Sequence, residues 1–270
     1  MSQRANREGL TNAILLGLLV AAGVAASAMP PLPQDPTYHA FADTRPLGEL
    51  PNAWNVLSNA PFLAAGLLGL LTCWRRRDLA GREAWIAAFS GIALVSLGSA
   101  WYHWKPSADA LVWDRLPMTV GFMGLLVAVL APQLGPRASR ILLVPAVAAG
   151  VGSVGYWQWA GDLRPYVWVQ FAPLLLIAAI SVLDCRTPSA RPLLAALVLY
   201  GGAKGLEAAD AAIFAGTNGF VSGHPLKHLA AAAACLALVR VAGAAGRPQQ
   251  ADPINVPTPI SAARRPRSQT

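Results

Sequence analysis

Apolar residues arrive in eight long blocks, at roughly 12–29, 56–74, 84–104, 115–132, 141–159, 166–183, 192–214 and 224–243. A helix needs about 20 mainly apolar residues to cross a hydrocarbon core about 30 Å thick, and each block predicts one crossing. No stretch alternates apolar and polar residues at a period of two, which argues against a membrane β-barrel. The pattern therefore predicts an all-α membrane protein: a seven-helix transmembrane bundle over 56–243, preceded by one additional N-terminal helix within 1–29. Residues 30–55 read as a proline-rich loop between the first two spans. Residues 244–270 are basic, lack apolar periodicity and read as a disordered cytoplasmic tail.

Composition supports a bilayer as solvent. The chain is 55% hydrophobic and only 13% charged, against about 25% charged in soluble domains. A net charge of +8 raises the question of nucleic acid, and the distribution of that charge answers it. Arg75, Arg76, Arg77 and Arg82 lie between spans two and three, Arg137 and Arg140 between four and five, Arg186 and Arg191 between six and seven. Arg4 and Arg7 precede span one, and Arg240, Arg247, Arg264, Arg265 and Arg267 fall at or after the end of span eight. With eight crossings all of these share one side, which the positive-inside rule makes cytoplasmic. The opposite connections carry only Arg45, Lys105 and Arg164. Both termini are then cytoplasmic and no nucleic-acid partner is expected. An Ala- and Arg-rich composition suggests a GC-rich bacterial source, hence the inner membrane.

Span one has a second reading, because Arg4, Arg7, an apolar core and Ala26-Ser27-Ala28 also resemble a cleavable signal peptide. The other seven spans are the same in either case. Cys73, Cys185 and Cys235 form no CxxC and read as packing residues.

Polar groups inside a membrane are costly and usually face a bundle interior. His103 closes span three, with Ser99 one helical turn deeper; Asp114 opens span four; His224 opens span eight, with His228 one turn deeper. Five polar residues from separate segments thus share the outer layer of the membrane. A single interfacial histidine is commonly a polar tip among headgroups, Asp114 in isolation suits a helix N-cap, and Ser99 beside Gly98 and Ala100 suits small-residue packing. Their common depth points instead to one site. Three imidazoles suit Zn²⁺, with a water in the fourth position. Asp114 would take the proton of that water and pass it to a leaving amine, and Ser99 would donate to the water or to a developing oxyanion.

Lys204, Glu207 and Asp210 recur at a spacing of three on one face of span seven; Lys204 and Glu207 are expected to neutralise each other, and Lys227 to pair with Glu207 or Asp210 or to snorkel outward. Asn52, Asn55, Ser58 and Asn59 read as caps and interhelical hydrogen bonds. A second, oxygen-ligated ion such as Ca²⁺ is an alternative use of Asp43 and Asn52.

These motifs resemble the alkaline ceramidase family, within a superfamily of seven-helix membrane hydrolases that includes adiponectin-receptor-like proteins. The matching pieces are Asn55-Val-Leu-Ser-Asn59, Gly98-Ser-Ala-Trp-Tyr-His103, Asp114-Arg-Leu-Pro-Met118, Glu207-Ala-Ala-Asp210 and Gly223-His-Pro-Leu-Lys-His228. The resemblance implies zinc held by His103, His224 and His228, water assisted by Ser99 and Asp114, and cleavage of ceramide to sphingosine and a fatty acid. Asn52 and Ser222 stand where that family carries acids. The expected function is a zinc-dependent membrane amidohydrolase acting on ceramide or another N-acyl lipid that arrives laterally from the bilayer. Two other classes compete: a receptor or scaffold with a structural zinc, and a proton-coupled transporter using Lys204, Glu207 and Asp210. Nothing in the sequence sets the oligomeric state.

Overall fold

The computed structural model describes residues 2–183 and 189–244, with side chains from residue 10 onward. Cys185, Arg186 and the basic tail lie outside the described residues, as do the side chains of Arg4 and Arg7. The elements in order are α1 (Ser2–Ala28), a 3-10 turn (Pro36–His39), α2 (Ala53–Leu57), α3 (Ala60–Arg75), α4 (Arg82–Trp104), α5 (Ala108–Ala160), α6 (Arg164–Leu183), α7 (Ala190–Ala208), α8 (Asp210–Gly216) and α9 (Gly223–Ala244). No strand occurs among the described residues.

Six of these helices are long and apolar enough to cross a membrane. Large apolar side chains such as Leu67, Leu97 and Val144 point outward along them, as expected where lipid replaces water as solvent. The protein is an all-α membrane bundle.

Helix α5 contains two of the predicted blocks. Its 53 residues would reach about 80 Å if straight, far more than one hydrocarbon core. It folds back instead at Gly135, whose φ of 76° and ψ of 168° fit no other residue comfortably. Gly150 of the second arm lies against Thr119 and Met123 of the first. Those contacts centre on Gly135, so the arms form an antiparallel hairpin and blocks 115–132 and 141–159 are its two limbs.

The block expected to run over 192–214 is shorter than its hydropathy suggested. The helix stops at Ala208, the backbone turns at Ala209 (φ −95°, ψ 13°), and α8 restarts at Asp210. Arg191, Lys204 and Glu207 within α7 keep it out of the six most apolar helices. Likewise block 56–74 is preceded by the single turn of α2, separated from α3 by Ser58 and Asn59.

The helices close a ring. α4 packs between α3 and α5, α6 between α5 and α7, and α9 between α7 and α3, while α1 lies outside the ring against α6. Trp85, Phe89, Met123, Leu176 and Leu238 belong to the apolar core inside it. Small residues line the α4–α5 seam, where Gly91 meets Gly121 and Gly124 meets Ala88. That is how membrane helices approach closely without a hydrophobic drive from water.

Candidate metal centre

The ring brings the end of α4 to the start of α9. His103 is the penultimate residue of α4, and His224 and His228 occupy the first two turns of α9. All three rings are buried, at 1%, 6% and 5% exposure. Their centroids are 4.8, 4.9 and 5.0 Å apart, and one ring nitrogen from each lies within 4.8 Å of the others. Among the described residues this is the one group of three or more His, Cys, Asp or Glu able to hold a metal ion.

The donor set fits such an ion. Nε2 of His103 and Nε2 of His224 are 3.4 Å apart. Two nitrogens bound at about 2.0–2.1 Å to a tetrahedral zinc would stand about 3.3–3.4 Å apart.

Each ring is positioned by a neighbour. Nδ1 of His228 is hydrogen-bonded to the Ser58 hydroxyl at 2.7 Å, which leaves Nε2 free to face the centre. The backbone N–H of His224 donates to Oδ1 of Asp210 at 2.7 Å, and Oδ2 of the same carboxylate accepts from the Ala42 amide at 2.9 Å. Asp210 is thereby an anion at the N-terminus of α9, where helix amides are unsatisfied. Nδ2 of Asn52 donates to the His103 carbonyl at 2.9 Å. Gly223 makes the approach possible, since a Cβ there would stand 2.1 Å from the Leu206 carbonyl oxygen. The Phe41 ring covers His103 and His224 at centroid distances of 4.7 and 4.6 Å.

Ser99 and Asp114 line the same cavity as His228. A Cβ on Gly98 would stand 2.1 Å from the Trp113 carbonyl oxygen, so only glycine lets α4 and α5 meet there. The Ser99 hydroxyl consequently sits next to the Asp114 carboxyl group, and both are buried. Asp114 is not the N-cap of α5. That role belongs to Ser107, whose Oγ accepts from the Ala110 amide at 3.1 Å; Asp114 projects from the helix interior nearly two turns further on. Ser99, Asp114 and His228 all line one cavity of about 440 Å³. It continues inward between Ile177, Leu197 and Leu238 and is lined at its outer end by Leu32–Asp35 and Tyr38.

Asp43 and Asn52 are not brought together as ligands. Both Asp43 oxygens are held by Arg45, at 2.8 and 2.7 Å, and this pairing keeps the carboxyl below its ordinary pKa. Asn52 serves the His103 carbonyl instead. The geometry therefore gives the alternative Ca²⁺ reading no support. Glu207 accepts from both Lys204, at 2.6 Å, and Lys227. The expected pair is thus a three-membered cluster, and Lys227 turns away from its histidine neighbour. Phe41, Arg115 and the Gln170–Tyr200 hydrogen bond, which joins α6 to α7 beside the cavity, were not singled out from sequence. Ser58 was seen only as one of several polar residues near span two; its partner lies 170 positions away.

A family model described as Ceramidase matches residues 49–197. The chain belongs to the ceramidase family. Membership implies a hydrolase of amide bonds with a lipid of the ceramide type as substrate. The match holds Ser99, His103 and Asp114 but stops before α9, so His224 and His228 join this ceramidase site through the fold. No curated protein matches the chain.

Proposed function

We propose that the protein is a zinc-dependent amidohydrolase that cleaves the amide of ceramide or a similar N-acyl lipid within the membrane. The observation that carries this reading is the shared cavity: one wall holds His228 of the histidine triad, Ser99 and Asp114, and the rest is an apolar channel able to take an acyl chain. Zinc on three protein ligands supplies Lewis acidity and a water of pKa about 7. Asp114 accepts a proton from the attacking water and returns it to the leaving amine nitrogen, so that water is consumed and a fatty acid and an amine are released. Ser99 donates its hydroxyl to the Asp114 carboxylate and so keeps that base oriented. Phe41 and the Leu32–Asp35 segment keep bulk water from the site.

The arginines support an orientation. Arg75, Arg76 and Arg82 stand at the end of α3 and start of α4, and His103 at the opposite end of α4. With eight crossings the termini are cytoplasmic and the metal centre faces the periplasmic side of a bacterial inner membrane. α1 is joined to the start of α6: Arg164 donates through Nη1 to the Ser27 carbonyl at 3.1 Å and also to Met29.

Purified protein incubated with a bacterial lipid extract, with zinc and after chelation, tests the reading by mass spectrometry. Zinc-dependent release of fatty acid together with a lipid amine is expected. Equal lipid profiles in both samples would overturn it.

A further inference from the structure

The outer end of the cavity holds a buried cation that the hydrolysis above does not use. Arg115 follows Asp114 on α5, lines the same cavity and is only 5% exposed. Its guanidinium lies over Trp157 at 4.2 Å and Tyr166 at 4.8 Å, with Tyr38 at 5.7 Å. Nη2 donates to Oε1 of Gln34 at 2.6 Å. Nη1 is buried and has no hydrogen-bond partner. A buried cationic donor left unmet is costly, and native structures rarely keep one without a use. The aromatic faces hold the cation in place but give those N–H groups no lone pair.

The other charges on this cavity are matched among themselves. Lys204 and Lys227 share the single carboxylate of Glu207. Across the lining Arg115, Lys204 and Lys227 face Asp35, Asp114 and Glu207, so it is the unmet Nη1 donor, not net charge, that calls for an acceptor. The nearest competing acid on the covering segment is Asp35, whose Oδ1 is already engaged by the Thr37 amide and hydroxyl, both at 2.8 Å.

We propose that Arg115 is the recognition group for an anionic oxygen, carboxylate or phosphate, carried by the amine half of the N-acyl lipid. A planar guanidinium suits both anions. Asp114 and Arg115 line the same cavity, so one bound lipid can meet both. This inference rests on the hydrolase reading above and narrows its substrate class.

Three probes sharing one acyl chain test it: N-lauroylglycine, N-lauroylethanolamine phosphate and the neutral N-lauroylethanolamine. In the zinc-loaded full chain, kcat/KM for at least one anionic probe should exceed that for the neutral probe by about tenfold or more, mainly through KM, the scale of a charge-assisted hydrogen bond. Which anionic probe leads separates carboxylate from phosphate. Arg115→Gln should bring the anionic-to-neutral ratio close to one, and Arg115→Lys should restore part of it. A purely structural arginine would lower turnover of all probes together and leave the ratio as it was. Equal kcat/KM for neutral and anionic probes in the unmodified protein, or an unchanged ratio in Arg115→Gln, would overturn the proposal while leaving the hydrolase reading intact. Calorimetric titration of the same probes covers the opposite case. If no probe is hydrolysed yet N-lauroylglycine or the phosphate binds in an Arg115-dependent manner, the hydrolase reading fails and the anion site stands.

Discussion

Nε2 of His103 and Nε2 of His224 stand 3.4 Å apart across 121 positions of sequence. That separation matches one edge of a tetrahedron of nitrogen ligands around zinc. The ring of His228 stands 4.9 and 5.0 Å, centroid to centroid, from those of His103 and His224, and its Nδ1 is hydrogen-bonded to Ser58. The end of α4 and the start of α9 are thereby tied at the same level of the bundle.

Metal content should follow this geometry. Zinc measured by elemental analysis on the purified protein is expected at one ion per chain. His228→Ala should lose it. Ser58→Ala, which frees the ring without removing a ligand, should weaken zinc binding by roughly 10–100-fold. His228→Ala retaining zinc at full affinity would refute the assigned ligand set.

Asp114→Asn separates catalysis from metal binding. The amide variant keeps the shape but cannot accept the proton, so kcat should fall by about 10²–10⁴ with zinc content unchanged. If zinc only staples α4 to α9 in a receptor or scaffold, the same variant would leave function unaltered.

Gly223→Leu probes the close approach of α9 to α7. The new Cβ meets the Leu206 carbonyl oxygen, a backbone atom that cannot swing aside. Overpacking of this kind costs about 1–3 kcal/mol, and relief requires the start of α9 to move. Zinc affinity should drop at least about tenfold, because ligand geometry must hold to within a few tenths of an ångström, while helicity by circular dichroism is retained. Unchanged affinity would show that the start of α9 does not set the position of His224.

The segment covering the cavity should have a defined acid limit. Asp162, in the connection between α5 and α6, accepts the Leu32 amide at 3.1 Å and the Arg164 amide at 3.0 Å. The Arg164 side chain is the main cause of its carboxyl being held down at about 2. A depressed carboxyl stabilises the fold above its unfolded pKa of about 3.9, and that contribution fades as pH falls toward 2. The protection factor of the Leu32 amide, its slowing relative to an unstructured amide at the same pH, should therefore be alike at pH 7 and pH 5 and should fall below about pH 4. Asp162→Asn should show fast exchange already at pH 7; slow exchange in that variant would show that the anchor lies elsewhere.

Much of this was legible in the chain because its causes are local. Crossing a bilayer demands a certain length of apolar residues in one run, so the blocks announce the helices. A spacing of four on a helix puts His224 and His228 on one face, and the ends of apolar blocks report depth, so Ser99, His103 and Asp114 could be placed at a common level before any contact was seen. Hydropathy averages over a window and could not see the break at Ala209. That break lets Asp210 cap α9.

What only the tertiary structure decided involves partners far apart in sequence. Asn52 serves the His103 carbonyl and Asp43 pairs with Arg45; Ser58 serves His228; Phe41 covers two imidazoles; Arg115 is left with an unmet donor. Periodicity carries no information on which helix neighbours which. That choice is made by packing, where Gly98 and Gly223 let backbones touch at van der Waals distance. The sequence alone determined the depth of the polar groups, through the cost of placing them in hydrocarbon. Only closure of the ring determined that three of them meet.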